Sequence, residues 1–187
     1  KLILLAEFAG NSEEEVHEQC LKLQEKIKDF KLKVHITKNQ VEANKYWDVR
    51  RESFALLRKH VKGKRTAPFV DDIIVRPEFL PKFIPELNAI LGKYDLTFTL
   101  AGHAGDGNIH VNIMYDKKDA DETSRANAAV KELFSATLSL NGTISGEHGI
   151  GITKAPYLKM ELGELGVEVM KRIKRSFDPN NILNPGK

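Results

Sequence analysis

The chain has 187 residues, of which 41% are hydrophobic, and this is enough to build a substantial core without disulfides or structural metals. Its 29 basic and 26 acidic residues are mixed along the sequence and give a net charge of +3, which does not indicate a nucleic-acid partner. Cys20 is the only cysteine, which excludes an internal disulfide and fits a reducing compartment. Because the chain starts at Lys1, we expect it to be an excerpt from a longer protein.

Local patterns in the first forty residues predict two strands with a helix between them. Residues 2–9 are typical of a strand. Ser12, with Glu15 three residues later, forms a capping box that opens a helix ending near Phe30. The segment KLKVHIT then predicts a second strand at residues 32–37.

The rest of the chain interleaves helices and strands at short spacing. Pro77 and Pro81 bracket the start of one helix, and Gly92 lies where that helix is expected to end. The predicted elements are a helix over about 40–61, a strand at 69–75, a helix to about 91, strands at 94–101 and 108–115, and helices over about 120–140 and 164–177. This order predicts an α+β fold with an antiparallel sheet and helices packed on one face, and its β-α-β segments indicate ferredoxin-like units.

The stretch AGHAGDGNIHVN, residues 101–112, carries His103 and His110 seven residues apart. An extended chain would separate them by roughly 23 Å, but the GDG turn residues between them predict a hairpin that brings both imidazoles together. Alternation in the second strand places Asn108, His110 and Asn112 on one face. An alternative is that this polar face is simply the solvent face of a half-covered sheet.

A second cluster favours a metal site. SGEHGIG, residues 145–151, carries Glu147 and His148 side by side between glycines that allow close approach to a ligand. Two imidazoles and a carboxylate suit a borderline divalent ion such as Zn²⁺, Mn²⁺ or Fe²⁺, with open positions for a substrate. His148 would then be available for another task.

Other motif interpretations fail on spacing. Neither GHAGDG nor GEHGIG gives the G-x-G-x-x-G pattern of a dinucleotide fingerprint, and the sequence has no P-loop and no H-E-x-x-H. The basic run KRIKR at 171–175 lies near a predicted helix C-terminus, where the macrodipole favours cations, so it is weak support for nucleic-acid binding.

Three motifs together, HAGDGNIH, SGEHGIG and FDPNNILNPGK, resemble in order and separation the C-terminal domain of FAD-linked 2-hydroxyacid oxidases and dehydrogenases, within the vanillyl-alcohol oxidase superfamily. That family includes the flavin subunit of glycolate oxidase, D-lactate dehydrogenase (cytochrome) and D-2-hydroxyglutarate dehydrogenase. The resemblance covers residues 1–187 and implies the substrate, or cap, domain with a duplicated ferredoxin-like fold. It also implies an N-terminal FAD-binding domain that precedes this chain and is absent from it.

The resemblance assigns roles to the two clusters. It implies that His103, His110 and Glu147 bind the metal, that His148 is the catalytic base, and that Asn112 contacts the substrate.

Two further roles follow from the resemblance, each with a plainer alternative. In WDVRRES, Arg50 matches the arginine that grips the substrate carboxylate, although Arg51 lies beside it and both would also suit a solvated basic helix face. Asn184 matches a residue that approaches the flavin, and it would equally suit a turn before Pro185.

The implied activity is oxidation of glycolate or a small D-2-hydroxy acid to the 2-oxo acid, with hydride transfer to an FAD that is bound mainly by the missing domain. In the 2-hydroxyglutarate branch a lysine stands two residues before a strand aspartate. If that aspartate is Asp72, the lysine position holds Val70, which favours a mono-carboxylate substrate.

Partners and location also follow from the resemblance as expectations. The partners are the chain's own N-terminal FAD domain, the 2-hydroxy acid, an electron acceptor or iron–sulfur subunit, and a second copy in a homodimer. The expected location is cytoplasmic, with peripheral attachment to the inner membrane through an electron-transfer partner. The alternative from another class is a non-catalytic metal-binding or interaction domain of a larger assembly, and an upstream flavin domain would discriminate the two.

Overall fold

A computed structural model describes residues 3–60, 65–66 and 72–185, with backbone alone at 53–54, 56–60 and 65–66. The chain divides into two compact units, Lys1–His60 and Val61–Lys187. In the part of the chain that the structure describes, no helix has both the length and the apolar character needed to cross a membrane.

The first unit contains two helices, α1 (Glu13–Ile27) and α2 (Gln40–His60), with a 3₁₀ turn at Lys28–Phe30. The predicted cap of α1 is confirmed, because Ser12 Oγ accepts the Glu15 N–H at 3.2 Å. The Glu15 carboxylate reaches back to the N–H of Asn11 at 2.9 Å, one residue before the expected position. The helix predicted over about 40–61 is also confirmed to its last described residue.

The two strands predicted for the first unit are wrong. Residues 3–10 and 32–37 have no regular secondary structure, and none of the described backbone groups pairs them with another strand. Ile3 and Leu32, which the pattern would place in a sheet, are exposed. Strand propensity describes how well a side chain fits a pleated surface. A segment with high propensity still forms no strand where no partner strand supplies the hydrogen bonds.

An antiparallel sheet organises the second unit. Its strands are β1 (Arg65–Thr66), β2 (Ile73–Ile74), β3 (Thr97–His103) and β4 (Asn108–Tyr115). The central strand is β4, which pairs with β3 along one edge. Along its other edge β4 pairs with β2 near its start and with β1 at its end. The predicted hairpin of β3 and β4 is confirmed; of the predicted 69–75 strand, residues 69–71 lie outside the described range.

Helices α3 (Leu80–Lys93) and α4 (Ala120–Ser139) supply the other layer of the core. Their apolar faces pack with the odd-numbered residues of β4 in one cluster, and its largest fully buried members are Phe83, Phe134, Ile73, Leu87, Leu91, Ile113, Leu133 and Ile144. The predicted α+β class with an antiparallel sheet is therefore confirmed.

The opposite face of β4 is buried as well. Asn108 is 4% exposed, His110 9% and Met114 0%. The alternative that this polar face is a solvent face is therefore wrong for β4. Buried polar side chains need hydrogen-bond partners, so their presence on this face indicates a structured polar site.

The C-terminal part differs from the prediction at its helix boundaries. A one-turn helix, α5 (Gly151–Lys154), follows the glycine-rich segment, where the sequence predicted none. The last helix, α6 (Leu158–Phe177), starts earlier than expected, but Gly163 breaks its backbone with φ 67°, so the continuous run begins at the predicted residue 164.

We expect Phe134→Ala to lower the free energy of unfolding by about 3–5 kcal/mol, because it leaves a cavity in the core beside the Tyr157 ring, whose centroid lies 5.0 Å away. Urea denaturation of the chain measures this. Lys131→Ala, one turn earlier on the exposed face of α4, is the control and should stay within about 0.5 kcal/mol of wild type. Equal losses in the two variants would contradict this account of the core.

Candidate metal and catalytic site

The turn between β3 and β4 is a 3₁₀ turn at Ala104–Asp106 that closes on Gly107, whose φ is 72°. A side chain at Gly107 would be strained by this angle, and its Cβ would lie 1.8 Å from the carbonyl oxygen of Val75. The Val75 N–H in turn donates to the Gly107 carbonyl at 3.2 Å. The glycine therefore lets the turn close against the end of β2.

The hairpin register brings the two histidines together. His103 pairs with Asn108 and Ala101 pairs with His110, so the two imidazoles are diagonal neighbours on one face. Their ring centroids are 5.4 Å apart at an interplanar angle of 87°. The sequence-based prediction that the turn brings them close is confirmed.

A backbone pairing between Ile74 and Thr143 brings Glu147 and His148 close to the hairpin. Ile74 and Thr143 exchange both backbone hydrogen bonds at 3.0 Å, so the segment after α4 lies against the strand that also pairs with β4. Glu147 Oε1 then lies 3.4 Å from His103 Nε2, 3.2 Å from His110 Nε2 and 3.8 Å from His148 Nε2. The His110 and His148 rings stack at 5.1 Å with an interplanar angle of 13°.

The spacing of these donor atoms fits a divalent metal ion. Donors at about 2.1 Å from one ion stand about 3.0–3.4 Å apart in octahedral or tetrahedral geometry. The 3.2 and 3.4 Å separations of Glu147 Oε1 from the two hairpin imidazoles agree with this, and the three donor atoms lie within 4.8 Å of one another. Because the side chains of His103 and Glu147 are 50% and 48% exposed, the cluster is open on one side.

A second group of donors, Asp72 with His110 and His148, also lies within 4.8 Å. Asp72 is fully buried, and its Oδ2 accepts four hydrogen bonds of 2.8–3.1 Å, from Ser145 Oγ and from the N–H groups of residues 146, 147 and 148. Its Oδ2, which already accepts four donors, has no lone pair left for an ion, and its Oδ1 accepts the Asn108 amide at 3.0 Å in a place closed to solvent. The donor set centred on Glu147 is therefore the better metal site.

The environment of Asp72 changes its proton affinity. Burial alone raises its pKa, but the N–H groups of His148 and Glu147, the Asn108 side chain and the Lys154 charge outweigh burial and lower the pKa from 3.8 to about 2. The carboxylate is therefore ionised at neutral pH although no part of it reaches solvent.

Of the other residues named from the sequence, the structure describes Asn112, Asn184, Arg50 and Arg51. Asn112 lies half-buried on the same face of β4 as His110, opposite Thr99. Asn184 is exposed, with a left-handed φ of 47° that fits a turn, and its side chain makes no hydrogen bond to the described residues. In the first unit, Arg50 is half-buried on α2, whereas Arg51 is exposed and pairs with Asp48. Val70 lies outside the described residues.

Sequence reasoning did not identify Asp72 and Lys154 as a buried pair. Lys154 is 2% exposed, and its Nζ donates to the Asp72 carbonyl at 2.9 Å and lies 3.7 Å from Asp72 Oδ2. One signal was present, since FVDDIIV carries two carboxylates inside an apolar strand and a charge is rarely placed there without a partner. Nothing in the sequence pointed to Lys154 as that partner.

Comparison with known proteins gives consistent relatives. The family model for FAD linked oxidases, C-terminal domain, matches residues 1–187. Glycolate oxidase subunit GlcD of Bacillus subtilis is 40% identical over 154 residues, which is 82% of this chain and 32% of that protein. D-2-hydroxyglutarate dehydrogenase of Stutzerimonas stutzeri is 43% identical over 124 residues, 64% of this chain and 27% of that protein. The chain thus spans about a third or less of these relatives.

Similar solved structures include 4-ethylphenol oxidase from Gulosibacter chungangensis. It aligns with a TM-score of 0.59 at 18% identity, over 91% of this chain and 36% of that one. This likeness supports the fold alone.

The pKa of Asp72 predicts an acid-labile contribution to stability. A carboxyl group whose folded pKa is lowered stabilises the folded state above its unfolded pKa, and the stabilisation is lost as pH falls from 3.8 through about 2. We expect this loss to be on the order of 2 kcal/mol. Urea denaturation from pH 6 to pH 2, with a chelator present, measures it, and Asp72→Asn should flatten this part of the profile. Parallel profiles for the two proteins would contradict the assignment.

Proposed function

The chain belongs to the family of FAD-linked oxidase C-terminal domains, and from that premise we propose that it forms the substrate- and metal-binding half of a flavin-dependent 2-hydroxyacid dehydrogenase or oxidase. The observation that carries the proposal is the convergence of His103, His110 and Glu147, with His148 stacked beside them. Two imidazoles and one carboxylate with an open side are the donor set of a catalytic divalent site.

The proposed metal ligands are His103, His110 and Glu147, and the ion is Zn²⁺, Mn²⁺ or Fe²⁺. When bound, such an ion supplies a Lewis acid that lowers the pKa of a coordinated hydroxyl group. The exposed halves of His103 and Glu147 leave room for the substrate on the solvent side of the cluster.

His148 is the proposed catalytic base. Its Nε2 lies 3.8 Å from Glu147 Oε1, so a hydroxyl group held at the cluster would be within reach of the imidazole. A neutral imidazole accepts a proton near neutral pH, and here it would take the proton of the substrate α-hydroxyl. Asn112, on the same face as His110, would donate a hydrogen bond to the substrate, and Arg50 would bind its carboxylate through two parallel N–H bonds.

The redox step belongs to FAD, which accepts the hydride from the substrate Cα when it is bound. In the proposal an N-terminal domain outside this chain binds most of the flavin, and Asn184 contributes a contact. A free electron acceptor or an iron–sulfur subunit would reoxidise the flavin.

The proposed substrate is glycolate or a small D-2-hydroxy acid with one carboxylate. The relatives named above are a glycolate oxidase subunit and a D-2-hydroxyglutarate dehydrogenase. If Asp72 is the strand aspartate of the 2-hydroxyglutarate branch, Val70 stands where a lysine would bind a second carboxylate, and this favours a mono-carboxylate here.

We also propose a duplicated ferredoxin-like arrangement for the whole domain. From β2 onward the second unit has the order β2–α3–β3–β4–α4, and the segment that follows α4 is bridged to β2 through Thr143, which supports one β-α-β-β-α-β unit.

The direct test is substrate-dependent flavin reduction by the full-length protein. We expect the flavin absorbance to bleach anaerobically with glycolate or D-lactate, and more slowly with D-2-hydroxyglutarate. The 187-residue chain alone should show no turnover, because its half of the site lacks the hydride acceptor. Turnover by the isolated chain, or an unreduced flavin with all three acids, would refute the proposal.

The two histidine roles can be separated by mutation. In the full-length protein, His148→Asn should keep the metal content and lower kcat by about 10²–10⁴-fold, since it removes a general base. His110→Ala should lose the metal, because it removes a ligand on the buried side of the cluster. Metal analysis and steady-state kinetics of the same preparations measure both effects. Wild-type rates in both variants would show that the roles are assigned wrongly.

A further inference from the structure

The side chain of Asp72 contacts both halves of the candidate site. Ile73 pairs with Ile109 and Ile74 with Asn108, so the next register position sets Asp72 opposite His110. On its other side, Ile74 pairs with Thr143, and continuing that register sets Asp72 beside Ser145. The carboxylate therefore stands between the hairpin and the segment that carries Glu147 and His148.

The hydrogen bonds of Asp72 are directed at the backbone of that segment. The N–H groups of Gly146, Glu147 and His148 all donate to Oδ2, at 2.8, 2.9 and 2.8 Å. On the other oxygen, Oδ1 accepts the Asn108 side-chain amide at 3.0 Å. One carboxylate thus joins the backbone of a proposed ligand and of the proposed base to the first residue of β4.

Close packing leaves this segment little freedom to settle elsewhere. A Cβ at Gly146 would lie 2.5 Å from Ile74 Cδ1 and 2.9 Å from Asn108 Nδ2, so the Gly146 backbone packs against the side chains of Ile74 and Asn108. A side chain at position 146 would push the segment away from these two residues, and the three N–H groups that donate to Asp72 orient its backbone.

Lys154 lets the carboxylate remain ionised in this buried place. Its Nζ donates to the Asp72 carbonyl and lies 3.7 Å from Oδ2, and both side chains are almost fully buried. A nearby cation and five hydrogen-bond donors compensate the cost of removing this carboxylate from water. Hydrogen bonds to a charged group are about twice as strong as those between neutral groups.

We propose that Asp72 is the positioning residue that holds Glu147 and His148 at the correct distance from the hairpin histidines, and so sets the affinity of the site for its metal ion. Asp72 acts through the backbone of these residues and touches neither substrate nor ion. The inference rests on the proposed metal site, and loss of such an orienting partner typically weakens metal binding by about 10–100-fold.

The test compares Asp72→Asn with Glu122→Gln in the full-length protein. Glu122 is a buried carboxylate of the same unit that accepts a backbone N–H, from Asp116 at 2.8 Å, but at the opposite end of β4. Each substitution replaces a buried carboxyl group by an amide of the same shape. The metal affinity is measured by calorimetric titration with Zn²⁺ and with Mn²⁺, well below both melting temperatures.

We expect Asp72→Asn to bind the ion about 10–100-fold more weakly than wild type, and Glu122→Gln to bind it as wild type does. Equal affinities in the two variants, whatever their melting temperatures, would overturn the inference. Should Asp72→Asn not fold, Ser145→Ala decides the question, since it removes one of the four donors to Oδ2 and keeps the charge. An affinity lowered by roughly two- to tenfold would support the inference, and an unchanged one would overturn it.

This outcome is separable from that of the proposed function. If the flavin is reduced by substrate but the two variants bind metal equally, the activity stands and the role of Asp72 falls. If no 2-hydroxy acid reduces the flavin but only Asp72→Asn loses metal affinity, the activity falls and the positioning role stands.

Discussion

The pairing of residues 73–75 on both sides is the interaction on which the site depends. On one side Ile73 and Ile74 bond to β4, and on the other Ile74 bonds to Thr143. Without this shared strand, the histidines of the hairpin and the Glu147–His148 pair would belong to separate parts of the unit. Backbone hydrogen bonds, together with the apolar side chains of Ile73 and Val75 in the core, bring together groups forty residues apart.

The sequence predicted those features of the fold that depend on interactions between residues close together in the chain. The cap at Ser12, the span of β4 and the hairpin turn all depend on residues a few positions apart, and all three are confirmed. The strands at 2–9 and 32–37 failed because a strand requires a partner, and the identity of a partner is not written in the strand itself.

The site was predictable in part for the same reason. His103 and His110 are adjacent in the hairpin, so turn chemistry was sufficient to bring them together, whereas their approach to Glu147 was anticipated only from ligand chemistry and the family resemblance. The role proposed for Asp72 depends on a pairing between segments that are far apart in the sequence, and on a lysine 82 residues away. A buried charge shows in the sequence as an anomaly in an apolar strand, but its partner shows only in three dimensions.

The alternation along β4 has a consequence for how this segment can change over evolutionary time. One face carries His110 and Asn112, while the other carries Val111 and Ile113 into the core. Since the side-chain period is two, inserting or deleting a single residue within the strand would put a valine in the place of His110 and push an imidazole into the apolar layer. We therefore expect a change in the length of this strand to disturb both faces at once, whereas a substitution disturbs only the face that its side chain occupies.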